Sequence, residues 1–293
     1  MKRLPGLVLL LICSSALLAA HAQGTPKNGG DVIRAMHDAY AKSWYKTLTF
    51  VQKTTNYKPD GTSESSTWYE SLSAPGRLRI DIEPIKDGNG ILFVNDKQIG
   101  IKDGKIANSR ERIHPLLLLG FDVYVQPVET TIQKLEKLNF DLSIFHEDKW
   151  QGEAVYVVGA KAGDNHTAQF WVTKKKLLFV RLIQPGGKDG KLTTETQFNK
   201  YEKAKGGGWV SAEVIFMVDG KTVTTEEYTD IKVNVPLDDS LFDPAQWKTP
   251  KKIGEGGKGK GEGKNLPGLR GEVDEMLVDR GVKAERNTSR LCN

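Results

Sequence analysis

Regular alternation of apolar and polar residues is the feature that most limits what this chain can fold into. The clearest case is the segment "GRLRIDIEP", in which charged residues alternate with Leu78, Ile80 and Ile82. Because successive side chains of a strand point to opposite faces, this segment predicts a strand with one apolar and one wet side. Arg77 and Arg79 occupy polar positions, and we expect both to face solvent.

Similar patterns continue along most of the chain. The segments "AVYVVGA", "AQFWVTKKKLLFVRLI" and "WVSAEVIFMV" indicate strands, as does a stretch in which Phe140, Leu142 and Ile144 face inward. Turns that end at Gly190 and Gly220 predict tight hairpins. We therefore expect about ten or eleven strands, nearly all joined to their sequence neighbours in an antiparallel meander.

Only two segments before the C-terminal tail show convincing helical spacing. The first begins after Asp31, which we assign as its N-cap, and places Ile33, Met36 and Tyr40 on one side. The second opens at Pro127. A long meander must close, pack on a second sheet or curl. With so few helices, we predict a mainly β (α+β) fold in which a strongly curved sheet holds the helices in its concave side.

The segment "IHPLLLLGF" interrupts the alternation with four consecutive leucines, Leu116 to Leu119. They are too few to cross a bilayer, which takes about 20 apolar residues. They are also too uniformly apolar for an exposed loop. These leucines therefore belong in a dry environment.

The N-terminus has the pattern of a secretory signal peptide. A basic start precedes an apolar stretch at residues 7–20, and "AHA" at residues 20–22 supplies an A-x-A cleavage site. We expect cleavage after Ala22 and a periplasmic product. Two alternatives stay open, namely an uncleaved membrane anchor and a lipoprotein acylated at Cys13.

The composition changes abruptly at Pro250. The following segment is rich in Gly and Lys and does not bury enough apolar surface to fold. Part of the net charge of +5 lies there, so the folded part is nearly neutral and nucleic acid is not an expected partner. We divide the chain into a signal peptide, a flexible lead-in, one folded domain, a linker, and a mostly disordered tail with one short helix near Val273: residues 1–22, 23–30, 31–249, 250–264 and 265–293.

The sequence contains no strong catalytic or metal-binding motif. The five histidines form no close ligand pair, and Cys292 is the only cysteine beyond the signal peptide. The G-x-S-x-G, P-loop and strand-linked G-x-G-x-x-G patterns are absent. His146, beside two acidic residues, indicates a polar strand end. We therefore expect a binding protein rather than an enzyme, with no cofactor and no metal.

Apolar residues exceed what a one-sided sheet requires. Aromatic residues recur along the strands, several of them at presumed inner positions: Phe50, Trp68, Phe93, Phe140, Phe170 and Phe216. An ordinary core would account for each of them singly. As a set on a curved sheet with few helices, they favour a concave, largely apolar ligand cavity.

Four motifs, in order, resemble those of the LolA-like group of periplasmic lipoprotein-carrier proteins of Gram-negative bacteria. "TFVQ" at residues 49–52 resembles the "F-x-Q" of the family's first strand. "APGRLR" at residues 74–79 resembles its "R-P-G-x-F-R", with Ala74 in place of a basic residue. Residues 94–105 resemble its "DG-K" hairpin, and residues 235–244 its closing "V-P-x-D…x-F-D-P".

The resemblance implies an incomplete, strongly curved antiparallel β-barrel with helices across its open side. It also implies a soluble periplasmic carrier or chaperone that binds acyl chains of lipoproteins or other lipids in a hydrophobic cavity, of the outer-membrane lipoprotein-sorting type. An inner-membrane export complex and an outer-membrane receptor are the implied partners. The alternative is a LolA-like envelope-stress sensor or interaction module, for which the lipid is a signal.

In such a fold, the four leucines would lie in the concave face as a lid and lining, with permanent core as the alternative. The best-known carriers of the family use an arginine that reaches from the sheet to the lid, and we find no residue here to match it. We predict the following residues as cavity lining and lid: Leu48, Phe50, Leu78, Ile80, Ile82, Phe93, Leu116, Leu117, Leu118, Leu119, Phe140, Phe170 and Phe216.

Overall fold

A computed structural model describes residues 25–247 of the chain. The predicted signal peptide, linker and tail, at residues 1–22 and 250–293, lie outside the described residues. Within residues 25–247 the chain forms three α-helices and thirteen β-strands. No helix of this part is long and apolar enough to span a bilayer.

The chain forms two long runs of strands: the first follows the first helix, and the second follows the other two helices. The helices are α1 (Gly29–Tyr40), α2 (Pro115–Gly120) and α3 (Val128–Lys137). The strands are β1 (Thr47–Tyr57), β2 (Ser63–Ser73), β3 (Arg77–Ile82), β4 (Gly90–Val94), β5 (Lys97–Lys102), β6 (Lys105–Glu111), β7 (Phe145–Trp150), β8 (Glu153–Val158), β9 (Gln169–Thr173), β10 (Phe179–Gly186), β11 (Leu192–Lys203), β12 (Trp209–Val218) and β13 (Lys221–Val233).

All thirteen strands belong to one antiparallel sheet with the order β6-β5-β4-β3-β2-β1-β13-β12-β11-β10-β9-β8-β7. Two meanders are therefore joined side by side through the pairing of β1 with β13, in which Leu48 lies opposite Val233. The outermost strands, β6 and β7, do not pair with each other. The predicted fold class, an unclosed antiparallel barrel with helices, is confirmed.

The contacts of α2 require the sheet to be strongly curved. His114, just before α2, has its ring 4.6 Å from Phe93 of β4, and a Cβ on Gly120 would lie 3.0 Å from Phe198 of β11. Those two strands are six inter-strand spacings apart, about 29 Å in a flat sheet. A six-residue helix is only about 9 Å long. The sheet must therefore bend around the helix.

Two-residue turns with positive φ at both positions close several hairpins. Asp219 and Gly220, between β12 and β13, have φ values of 48° and 74°. Asp103 and Gly104, between β5 and β6, have 52° and 72°. This geometry matches the right-handed twist of the flanking strands and favours Asn, Asp and Gly. The hairpin predicted at Gly220 is confirmed.

The strand count is higher than the ten or eleven expected. The segment "AQFWVTKKKLLFVRLI" supplies both β9 and β10, because the chain reverses between them with Leu177 at a φ of 53°. This turn contains no Gly, Pro or Asn, so no residue pattern predicts it. The strand predicted around Phe140 is wrong, because Phe140 closes α3 by donating its N–H to the Leu135 carbonyl (3.1 Å), and β7 begins only at Phe145.

The first helix begins two residues before Asp31. Its N-cap is Asn28, whose Oδ1 accepts a hydrogen bond from the Asp31 backbone N (2.9 Å). The Asp31 carboxylate instead accepts from the backbone N of Lys27 (2.9 Å). The N-cap assignment to Asp31 is therefore wrong, whereas α3 does begin directly after Pro127.

A segment distant in sequence covers part of the outer, convex face. Residues 237–247, here called the strap, pack over β4 and β5 and bury an apolar cluster that includes Leu92, Ile99, Phe242 and Trp247. The strap follows β13 and carries the last of the motifs noted in the sequence. Its position explains why apolar residues occur on the outer side of these strands.

Arg79 lies beneath the strap and not in solvent. It is 1% exposed, and its Nε and Nη2 donate to the two Asp81 carboxylate oxygens at 2.7 and 2.8 Å. The Trp247 ring lies 3.8 Å from the guanidinium carbon. Arg77 is partly exposed and donates to Asp239 of the strap (2.6 Å). The expectation that both arginines face solvent is wrong, since alternation identifies a face but not what covers it.

Candidate functional site: the concave face

The concave face divides into two halves along its strands. In the covered half, helices pack on the sheet and bury Leu48, Leu72 and Leu78. In the open half, the same strands continue with side chains that are only partly buried, among them Trp68 and Phe216.

The α2 helix occupies the centre of the covered half. Leu117, Leu118 and Leu119 are buried against the sheet, and Leu116 is partly buried. His114 is the N-cap, and its Nδ1 accepts a hydrogen bond from the Leu117 backbone N (3.2 Å). Burial lowers the pKa of His114 to about 3, so the imidazole is neutral and available as the acceptor.

An aromatic stack joins the helices to the sheet. The Tyr124 ring stacks on Trp44 with centroids 3.8 Å apart. Its hydroxyl accepts from the Phe179 backbone N (3.1 Å) and donates to the Leu177 carbonyl (3.4 Å). Tyr124 thereby fixes the 3₁₀ turn after α2 (Asp122–Tyr124) to the start of β10. Tyr124 was not predicted as a site residue, because the partners of its side chain lie far away along the chain.

Two polar contacts tie the helices to turns of the sheet, and together we call them the latch. The Asp122 Oδ1 accepts from the Gly76 backbone N (2.9 Å), and burial raises the pKa of Asp122 to about 7. Lys134 of α3 donates to Asp96 (2.5 Å). A cavity of about 10 Å³ lies among these groups and Leu118, which is room for about one water.

The structure brings the predicted lining residues together in one apolar cluster. Ile82, Leu116 and Phe216 are partly buried at its edge. The remainder are buried: Leu48, Phe50, Leu78, Ile80, Phe93, Leu117, Leu118, Leu119, Phe140 and Phe170. Their assignment as ligand lining and lid stays a prediction, because a shared cluster is also what a permanent core would give.

The open half combines aromatic rings with polar side chains. Tyr228 packs on Phe50 with ring centroids 4.3 Å apart. Gln52 of β1 lies between two aromatic residues, since its cross-strand neighbours are Trp68 on β2 and Tyr228 on β13. The apolar face therefore reaches solvent here through aromatic rings that are only partly buried.

Two carboxyl groups lie on this same face. Glu70 is buried on β2, and Glu226 is partly buried on β13, where the Tyr228 hydroxyl donates to it (2.7 Å). Burial raises the pKa of Glu70 well above its usual value and that of Glu226 to about 7. Neither residue was predicted from the sequence. Period-two alternation already places Glu70 on the face of Trp68 and Leu72, and that signal could have identified it.

The geometry of the concave face supports binding. Within residues 25–247, no group of three His, Cys, Asp or Glu side chains is placed to hold a metal ion. His146 lies on β7, the outermost strand at one end of the sheet, away from the two carboxyls. A concave surface that is largely apolar, with few polar groups, is the usual form of a small-molecule site.

Solved bacterial structures share this architecture. A DUF1329 family protein from Desulfovibrio piger matches with a TM-score of 0.51 and 16% identity, over 75% of this chain and 98% of that one. A domain described as an outer membrane lipoprotein-sorting protein, from Vibrio parahaemolyticus, matches with a TM-score of 0.50 and 12% identity. This match covers 75% of this chain and 98% of that one. A LolA superfamily protein from Nitrosomonas europaea matches with a TM-score of 0.46 and 13% identity, over 72% of this chain and 96% of that one.

At these identities the likeness concerns the fold. A family model described as "Uncharacterized protein" matches residues 129–249. No curated protein matches the chain. The chain has a LolA-like fold, as its ordered motifs predicted.

Proposed function

We propose that this protein is a periplasmic carrier that holds the acyl chains of lipoproteins or other lipids in the concave face of its sheet. The single observation that supports this most is the continuity of that face. One apolar cluster extends from the buried leucines of α2 to the partly exposed Trp68 and Phe216. An acyl chain can therefore pass from solvent to the interior along apolar surface.

The helices are closed over the covered half in this structure. The cavity beside Leu118 has about 10 Å³, whereas ligand pockets commonly have about 300–1,000 Å³. An acyl chain therefore needs the space that the α2 leucines now fill. We propose that α2 is a lid that moves away with its latch when a chain enters, so that ligand and leucines compete for one dry surface.

The description of the Vibrio domain as a lipoprotein-sorting protein supports the same cargo class. In this proposal an inner-membrane export complex loads the carrier and an outer-membrane receptor unloads it. The concave face acts by binding and performs no chemical step.

Native mass spectrometry of the protein from a periplasmic extract tests the proposal. We expect co-purified lipid, and saturable uptake of a fluorescent fatty acid by the delipidated protein. Phe216→Asp should weaken uptake at least about tenfold, because it places a charge on the apolar path. The matched control Ile106→Asp, at a 53% exposed position of β6, should leave uptake unchanged. Absence of both lipid and uptake would overturn the proposal.

A further inference from the structure

Glu70 is a carboxyl group on the apolar side of the sheet. Its cross-strand neighbours are Phe50 on β1 and Ile80 on β3, both buried in the core between sheet and helices. Glu70 itself is 6% exposed. Its side chain therefore points into the concave face, at the border between the covered half and the open half.

The Glu70 carboxyl lacks a partner within the described part of the chain. No hydrogen bond or ion pair from residues 25–247 reaches it, and its main electrostatic neighbour is another acid, Glu226. The Glu70 oxygens are not among the fully enclosed polar atoms without a hydrogen bond, so they keep contact with the solvent of the open half, but burying most of a carboxyl group still destabilises the fold. Such a group on the wall of an open concave face is instead explained by a partner that comes from outside the chain.

The groups around Glu226 are neutral hydrogen-bond donors and bring no positive charge. Tyr228 donates to Glu226, while Gln52 donates to Thr54 (2.7 Å) beside it. Neither Glu70 nor Glu226 forms an ion pair with Lys or Arg among residues 25–247. Lys53, next to Gln52 in sequence, points to the opposite face and pairs with Glu227 (3.4 Å). The two carboxyls thus face the open half without compensating charge.

Aromatic rings flank the same place. Trp68 and Tyr228 lie on either side of Gln52, and Trp68 is two residues from Glu70 on the same face of β2. The faces of aromatic rings attract cations, and carboxylates beside them add charge pairing. A protonated amine satisfies both kinds of group, whereas a carboxylate head group would be repelled by both.

We propose that the open half binds a long-chain amphiphile whose polar end is a protonated amine. The amine lies between Glu70 and Glu226, against Trp68 and Tyr228, and the alkyl chain runs toward α2. The proposed amine site rests on the proposed carrier function and specifies the head group that the carrier selects. The unpaired, buried Glu70 carboxyl is the observation that favours it over an unselective apolar trough.

Binding of three probes with the same chain length tests this proposal: dodecylamine, dodecanol and dodecanoate, each competing with an uncharged fluorescent alkyl probe on the purified full chain. At pH 8 we expect dodecylamine to bind at least about tenfold more tightly than dodecanol, the factor that one charge-assisted hydrogen bond gives. Glu70→Gln should remove this preference while leaving dodecanol binding unchanged. At pH 5 the preference should shrink, because the carboxyls are then protonated.

Two further variants separate the possible results. Glu226→Gln should lower the preference as well, and Glu227→Gln, on the outer face of the same strand, should not. Equal binding of amine and alcohol by the wild type, or an unchanged preference in Glu70→Gln, would overturn the amine site and leave the carrier function standing. Failure of all three probes to bind would overturn both. Thermal unfolding confirms that each variant is folded.

Discussion

The covered half and the open half of the concave face are built from the same strands but differ in what meets them. In the covered half, side chains such as Leu72 belong to the buried apolar cluster that also contains the α2 leucines, Trp44 and Tyr124. At the border with the open half, two residues earlier on β2, the same face carries Glu70. The first half gains stability from packing, whereas the second keeps groups that reduce stability, which is common at binding sites.

The largest expected effect concerns the floor of the covered half. Leu72→Ala removes a leucine that is 1% exposed on a central strand. We expect the free energy of unfolding to fall by about 2–5 kcal/mol, the cost of truncating a leucine in a core that does not collapse. Urea unfolding measures this. Leu192→Ala, at an exposed position, is the control and should change stability by less than about 0.5 kcal/mol.

A second leucine of equal burial sharpens the comparison. Leu118 of α2 is also 1% exposed. If α2 opens at small cost, truncation can lower stability by no more than that opening energy, so we expect Leu118→Ala to lose less than about 2 kcal/mol, below the core range. Uptake of a fluorescent fatty acid should change severalfold. A loss as large as that of Leu72→Ala, with unchanged uptake, would make α2 permanent core.

The carboxyl groups of the open half should make the stability of the protein depend on pH. The pKa of Glu226 is raised to about 7 in the fold, so the folded state binds more protons than the unfolded chain between about pH 4.5 and 7, and stability falls as pH rises through that window. At pH 8, Glu226→Gln should therefore unfold at a higher temperature than the wild type, by about 2–4 °C for each kcal/mol gained. At pH 5 the two should nearly coincide.

Other groups titrate nearby, so the difference between variant and wild type is the informative quantity. Asp122 acts in the same direction as Glu226, since its pKa is also raised to about 7. His114, with a pKa lowered to about 3, acts oppositely, and its contribution is lost as pH falls below about 6.5. A constant difference between Glu226→Gln and wild type at all pH values would contradict the assignment.

The smallest effect on stability concerns the latch. Lys134→Met removes the ion pair with Asp96, which is partly exposed on the acid side, so the cost should stay below about 1 kcal/mol. Release of a bound fluorescent fatty acid should nevertheless become faster, because the lid then closes less firmly. Stopped-flow dilution measures this rate. Arg34→Met, which breaks the exposed pair with Glu129 on the far side of α3, is the matched control and should leave it unchanged.

Local patterns predicted much of the fold. Alternation around Ile80 identified β3 and its inner face, and the run of leucines identified a segment that is indeed buried in the concave face. The four LolA-like motifs, taken in their order along the chain, predicted the unclosed barrel with helices on its concave side. These features depend on neighbours within a few residues, which is why a single sequence suffices for them.

Contacts between segments that are distant along the chain could not be predicted from local sequence patterns. Alternation placed Arg79 correctly on the outer face, but only the strap, more than 150 residues later, buries it. Glu70 shows a different failure. Its position on the apolar face of β2 was readable, but a single acid in an alternating strand receives little weight until the structure shows that it is buried and unpaired.

The outermost strands β6 and β7, which do not pair with each other, give the interior an adjustable size. A closed barrel has a circumference fixed by its strand number and stagger. Here the sheet ends at two separate edges, so a wider spacing between them enlarges the space within while every ladder hydrogen bond is kept. On the proposed carrier function, the distance that the helices move then limits the size of the occupant, and the same sheet can hold one acyl chain or several.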